Sequence, residues 1–269
     1  MGHGIAHAAI AAGFDTALYD SNAQALLRAR TAIDTIVAKS LELGKVGPDE
    51  ARASKARLKT HEHLGPALAH AELIIEAAPE QMELKLRLLS DIEKHSPARA
   101  VIASNTSALS LTEMAAVLSH PGRLAGMHFF NPVHKMKLVE VVKALESAPQ
   151  TIELIEEVAR RMGKETVLVR ESPGFVTSRI NAMIGNEAFF MLQEGVASAR
   201  DIDKALKLGL NHPMGPFELV DLVGLDTRLS VLEFLHKSMG EKFRPCPLLV
   251  QHVRAGRLGR KVGKGVYEY

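Results

Sequence analysis

Apolar residues in the first 171 positions alternate between two rhythms. Short runs such as Thr16-Ala17-Leu18-Tyr19-Asp20, Leu73-Ile74-Ile75-Glu76-Ala77 and Val101-Ile102-Ala103-Ser104 are brief and predict strands. Leu124 to Phe129, Leu138 to Val142 and Thr166 to Val169 add three more. Between the runs the spacing turns helical, with Leu26, Ile33, Ile36, Val37 and Leu41 marking one face over 21–42. Further helices are predicted over 81–94, 110–118 and 150–162. Strands spaced by helices argue for a mostly parallel sheet with crossover helices.

From Pro173 onward strand candidates vanish until Val266-Tyr267, and helical patterns occupy 175–194, 200–208, 216–238 and 247–255. This change places a boundary between an α/β unit, 1–171, and an all-helical unit, 172–269. With 269 residues, 46% of them hydrophobic, the chain has material for two ordinary cores. A net charge of +2 and only 4% aromatics argue against a nucleic-acid partner. No apolar run approaches the ~18 residues of a membrane span, and no signal peptide is visible. Cys246, alone and between two prolines, reads as a small packing residue with no disulfide partner. A cytoplasmic location is expected.

The opening Met1-Gly2-His3-Gly4-Ile5-Ala6 leads into an Ala-rich helix and then the strand ending at Asp20. A dinucleotide fold runs strand, G-x-G-x-x-G turn, helix, strand and acid. Everything from the last glycine onward is present. The expected fold is thus a Rossmann-type sheet lacking its first strand. Gly2 would allow close helix–strand packing, the helix start would face a pyrophosphate, and Asp20 would accept the ribose hydroxyls of NAD and repel the 2′-phosphate of NADP. Without the central strand, unpaired neighbours at ~1–3 kcal/mol per buried group would weaken a domain of ~5–15 kcal/mol. The first half is then expected to fold poorly or bind NAD weakly. A misplaced gene start is the simplest account.

Three segments carry chemistry. Ser104-Asn105-Thr106-Ser107 and Met127-His128-Phe129-Phe130-Asn131-Pro132 each end a strand, where ligands sit in open α/β sheets. Lys137-Leu138-Val139-Glu140-Val141-Val142 hides an acid in an apolar strand, which is hard to explain unless it is paired. A strand-end His is a candidate acid/base, because its pKa starts near neutrality. A carboxylate on its other ring nitrogen fixes the tautomer and stabilises the imidazolium.

With Pro213-Met214-Gly215-Pro216-Phe217-Glu218-Leu219 and the closing Gly259 to Tyr267, these motifs closely resemble the 3-hydroxyacyl-CoA dehydrogenase family along the whole chain. The resemblance implies NAD as cofactor, a short-chain (S)-3-hydroxyacyl-CoA such as 3-hydroxybutyryl-CoA as substrate, and a homodimer formed through the helical unit. It implies His128 and Glu140 as the catalytic pair. It also implies cofactor contacts from Gly2, Asp20, Glu80, Lys85, Ser107, Asn131 and Lys261, with Ser107 and Asn131 meeting the substrate as well. No metal is implied. One departure stands out: Ser178 occupies a position where relatives carry a substrate-holding Asn. Phe189-Phe190-Met191-Leu192 fits either a subunit interface or an intrachain core. Two other readings stay open. One is a remnant that keeps the dimerising scaffold but no longer binds cofactor. The other is a dehydrogenase of free hydroxy acids, which would use a lysine base where this chain offers Arg179 and Asn181.

Overall fold

In the computed structural model, which describes residues 1–269, the strands are β1 (Thr16–Tyr19), β2 (Leu58–His61), β3 (Leu73–Glu76), β4 (Val101–Ser104), β5 (Leu124–Phe129), β6 (Leu138–Lys143) and β7 (Glu165–Arg170). Strands β3 to β7 lie side by side in chain order, while β1 and β2 form a separate pair. Every pairing is parallel except β5 with β6. Helices α1 (Gly2–Ala11), α2 (Ala23–Glu42), α3 (Pro48–Ala56), α4 (Leu64–Leu68), α5 (Met82–His95), α6 (Leu111–Ala115) and α7 (Pro149–Arg161) complete the first compact unit, Met1–Glu171.

Helix α1 is apolar on two sides because it serves two cores. Ile5 and Ala8 join Ala103, Met127, Val139 and Val141 of the large sheet. Ala6 and Ile10 join Ile33 and Val37 of α2, with Leu18 and Leu58 from the small sheet packed against them. The close approach is made at Gly4, not at Gly2 as the sequence suggested. A Cβ at Gly4 would lie 3.0 Å from Val133, whereas one at Gly2 would meet only Leu18 at 4.0 Å. Helix α2 is started by Asn22, whose side chain accepts from the backbone N–H groups of Gln24 and Ala25. Of its predicted face, Leu26, Ile33 and Val37 are buried. Leu41 is exposed, because the helix runs past its core. Elements α3, β2 and α4 have no counterpart in the sequence reading. Their stretch is dominated by charged and polar residues, and β2 takes its shape from pairing with β1.

The second unit, Ser172–Tyr269, comprises α8 (Thr177–Gln193), α9 (Ala199–Gly209), α10 (Pro216–Val223), α11 (Leu225–Met239) and α12 (Pro247–Arg254). Phe189, Phe217, Leu225, Leu232, Leu235, Phe243 and Leu249 fill its core. Of the Phe189–Leu192 segment, Phe189 belongs wholly to this core and the next three residues are partly covered by it. Cys246 is fully buried, and burial pushes its thiol pKa up, as suits a packing residue.

Two expectations for this unit change. The helix predicted over 216–238 breaks into α10 and α11 at Gly224, whose φ of 108° L side chains rarely adopt. The strand predicted at Val266-Tyr267 does not form. Those backbone N–H groups instead donate to the buried Asp221 carboxylate, both at 2.9 Å, and the Tyr269 hydroxyl donates to it as well. The Tyr267 hydroxyl donates to Asp203, which also accepts from the first-turn N–H groups of Phe217 and Glu218 in α10. A Cβ at Gly265 would fall 2.0 Å from the Asp221 carboxylate. The closing glycine-rich segment is thus a clasp around two buried acids.

Arg228, in the first turn of α11, is 5% exposed, and its Nε has no hydrogen-bond partner. Burial alone acts on its pKa, lowering it to about 10, so the guanidinium remains charged at neutral pH. Replacing buried charge with a well-packed apolar chain is often neutral or stabilising, by ~1–4 kcal/mol. Arg228→Met is therefore expected to raise the melting temperature, measured by calorimetry; a lower value would show that the charge has a stabilising partner.

Candidate active site

Strands β3, β4 and β5 run parallel, so their carboxyl ends share one edge, the side on which open α/β sheets bind ligands. Three of the sequence motifs lie there. Register explains the central pair. Because β6 runs antiparallel to β5, His128 stands directly opposite Glu140, and cross-strand partners project from the same face. His128 Nδ1 donates to Glu140 Oε2 at 2.7 Å, with the His side chain 6% exposed and the Glu side chain fully buried. With Nδ1–H committed to the carboxylate, the neutral ring has Nε2 as its acceptor nitrogen. Phe130 packs on the imidazole with ring centroids 4.6 Å apart. Asn131, just beyond β5, is exposed.

A second polar constellation occupies the ends of β3 and β4. Glu80 Oε1 accepts from the Thr106 hydroxyl at 2.6 Å and from the backbone N–H groups of Ser107 and Ala108. One carboxylate therefore shapes the loop carrying Ser107. Lys85 is 1% exposed, and its ammonium donates to both Glu76 oxygens and to the Ala78 carbonyl. Asp20 lies at the end of β1, half-buried, where one carboxylate oxygen accepts from the Asn22 N–H. In the helical unit, Ser178 sits half-buried in the first turn of α8. Lys261 donates to Asp226 at 2.6 Å.

Two contributors escaped the sequence reading. Asn105 received no role within its motif, yet its side-chain oxygen accepts from Phe129 N–H at 2.8 Å and ties the end of β4 to the strand bearing His128. Glu76 is an acid in an apolar strand, and the reasoning that singled out Glu140 applies to it equally.

Models of the 3-hydroxyacyl-CoA dehydrogenase NAD binding domain and C-terminal domain match residues 1–172 and 174–269 respectively. The chain belongs to the 3-hydroxyacyl-CoA dehydrogenase family. It is an NAD-dependent oxidoreductase of that family. A probable 3-hydroxybutyryl-CoA dehydrogenase of Bacillus subtilis is 43% identical over 270 residues, covering 100% of this chain and 94% of the relative. A 3-hydroxyadipyl-CoA dehydrogenase of Escherichia coli is 39% identical, and this chain covers 57% of it. The crystal structure of (S)-3-hydroxybutyryl-CoA dehydrogenase from Ralstonia eutropha superposes with a TM-score of 0.96 at 39% identity, covering 100% of this chain and 95% of that one.

One contact beside this site is expected to be sensitive to acid. The segment after Asn131 is held to α1 where Val133 meets Gly4, and Lys164 Nζ donates to the carbonyls of Val133 and Met136. Across this contact His7 of α1 faces His134, ring centroids 6.3 Å apart. Burial first, then the charges of His134, Lys164 and His3, lower the His7 pKa from 6.5 to about 4. An imidazole whose folded pKa lies below its unfolded value contributes stability above pH 6.5, and that stability is lost as pH falls towards 4. The melting temperature is expected to drop across that window, and less steeply in His7→Gln. Identical pH profiles for the two proteins would rule His7 out.

Proposed function

We propose that the chain oxidises short-chain (S)-3-hydroxyacyl-CoA, such as 3-hydroxybutyryl-CoA, to 3-oxoacyl-CoA with NAD, reversibly, using His128 as general base and Glu140 as its orienting acid. The observation that carries this reading is the 2.7 Å bond between the buried His128 and Glu140 at the ligand-binding edge of the sheet. Nε2 would take the hydroxyl proton during oxidation and return it during reduction. The Glu140 carboxylate would stabilise the imidazolium formed in between. The names of the relatives from B. subtilis and R. eutropha support the substrate class.

The residues fit NAD. The first turn of α1 carries neither a side-chain cap nor an acid, which suits a pyrophosphate near Gly2. Asp20 offers a carboxylate at a strand end for ribose hydroxyls. Glu80, Ser107 and Asn131 line the carboxyl edge of β3 to β5, where Ser107 and Asn131 would also meet the thioester or the substrate oxygen. Bound NAD supplies the hydride acceptor. Ser178 would contribute a shorter substrate contact than an Asn, and Lys261, paired with Asp226, would add positive charge for the cofactor.

His128→Ala is expected to lower turnover of acetoacetyl-CoA by ~10²–10⁴-fold while NADH affinity stays close to wild type. Survival of activity in that variant would remove His128 from the mechanism. Turnover of free acetoacetate in preference to the thioester would favour the hydroxy-acid reading instead.

We also propose a homodimer formed through the helical unit in a cytoplasmic setting. Ile180 and Met183, three residues apart on α8, are 53% and 39% exposed. Met183 joins Ile184, Phe190 and Leu206 in lining a groove of about 610 Å³ that also carries Glu187, Lys242 and Arg244. No helix is long and apolar enough to cross a membrane. Sedimentation at micromolar concentration is expected to give twice the chain mass, and Ile180→Glu to give monomers. A monomeric wild type would end this proposal.

A further inference from the structure

The loop between β5 and β6 carries Asn131 and has little of its own to hold it. Asn131, Pro132 and His134 to Lys137 are exposed, which leaves Val133, 3% exposed, as its buried side chain. The backbone forms one turn, in which the N–H groups of Lys135 and Met136 both donate to the Pro132 carbonyl. A single turn leaves its later carbonyls without partners of its own. Lys164 takes two of them. Its Nζ donates to the Val133 carbonyl at 2.6 Å and to the Met136 carbonyl at 2.8 Å. The lysine works from a fixed base between α7 and β7. Its own N–H donates to the Ala159 carbonyl of α7, and the N–H of Glu165 donates to the Lys137 carbonyl at the end of the loop. Lys164 is 9% exposed, and burial lowers its pKa. A cation withdrawn from water onto carbonyl oxygens carries a desolvation cost that an apolar side chain there would not. The shape of the loop is what that cost secures.

We infer that Lys164 is a positioning residue for the substrate end of the site, fixing the placement of Asn131 through the Val133 and Met136 carbonyls. Val133 is pinned twice, by its side chain against Gly4 of α1 and by its carbonyl on Lys164. Only Pro132, whose ring fixes φ, separates that anchor from Asn131. The inference rests on the reading of Asn131 given above, and it adds a residue that no motif singled out. Lys164 acts on the substrate through the loop. Without it the two carbonyls must find water, and Asn131 moves with them. A misplacement of ~1 Å in a positioning group can cost ~10²-fold in rate.

A double-mutant cycle separates this role from a general loss of stability. The kcat/KM for acetoacetyl-CoA would be measured for wild type, Lys164→Met, Asn131→Ala and the two combined, below each melting temperature and with circular dichroism checking the fold. Asn131→Ala and Lys164→Met are each expected to lower kcat/KM at least ~10-fold. The combined variant is expected to stay within about threefold of Asn131→Ala, since a lysine that acts through Asn131 has nothing left to place. A larger further loss in the combined variant would overturn the inference, and so would wild-type kcat/KM in Lys164→Met. Should Lys164→Met not fold, Lys164→Ser, which lets water reach the freed carbonyls, enters the cycle under the same criteria. Wild-type kcat/KM in Asn131→Ala would sink the reading of Asn131 itself, whereas an impaired Asn131→Ala with additive losses in the combined variant would sink this inference alone.

Discussion

A carboxylate carried into the middle of a β-sheet leaves behind the water that solvated it, and only a donor held at hydrogen-bond distance can replace that water. The α/β unit does this twice. Glu140 in β6 is matched to His128 in β5, and Glu76 in β3 is matched to Lys85 in α5. Both acids are fully buried side chains, and both lie at or beside the carboxyl edge of β3 to β5. The rest of the unit follows from these pairings. The antiparallel turn of β6 against β5 brings Glu140 opposite His128, and the placement of α5 after Pro79 brings Lys85 beneath β3.

The two pairs differ in the donor that meets the acid. His128 gives its Nδ1–H to its acid, and its ring carries a second nitrogen besides. Lys85 brings its ammonium against both oxygens of one carboxylate and against the Ala78 carbonyl. The same physical demand, compensation of a buried anion, is thus met by an imidazole in one case and by an ammonium in the other.

Much of this was legible in the residues. The alternation of β-rich runs and helical spacing marked the strands β3 to β7 and the switch to helices after Glu171, because strong periodicity survives without knowledge of tertiary contacts. Glu140 was legible because a lone acid among Leu138, Val139, Val141 and Val142 has few explanations. Glu76, among Leu73, Ile74 and Ile75, carried the same signal and went unread, since no motif drew attention to it. The segment 48–68 was illegible for a physical reason: its four-residue strand is dictated by β1, and its short helices lack an apolar stripe of their own. The break at Gly224 was hidden because Pro216 to Met239 keeps helical spacing on both sides of a residue whose backbone cannot continue the helix.

The closing segment shows how a motif can carry one physical role more firmly than another. Gly259, Gly263 and Gly265 surround Lys261 in the sequence, which invites a reading centred on the lysine. The glycines are explained without it. Gly259 and Gly265 crowd against Asp221 so closely that no Cβ fits, and Asp221 in turn takes the backbone N–H groups of Val266 and Tyr267. Asp203 takes the hydroxyl of Tyr267, whose pKa is raised by burial and by that acid. A chain end pinned by two buried carboxylates holds the turn bearing Lys261 in one conformation. Asp226 then fixes the lysine side chain by an ion pair that is half-exposed and so contributes little to stability. Rigidity in this segment comes from the acids and glycines around the lysine, and the lysine is what they hold in place.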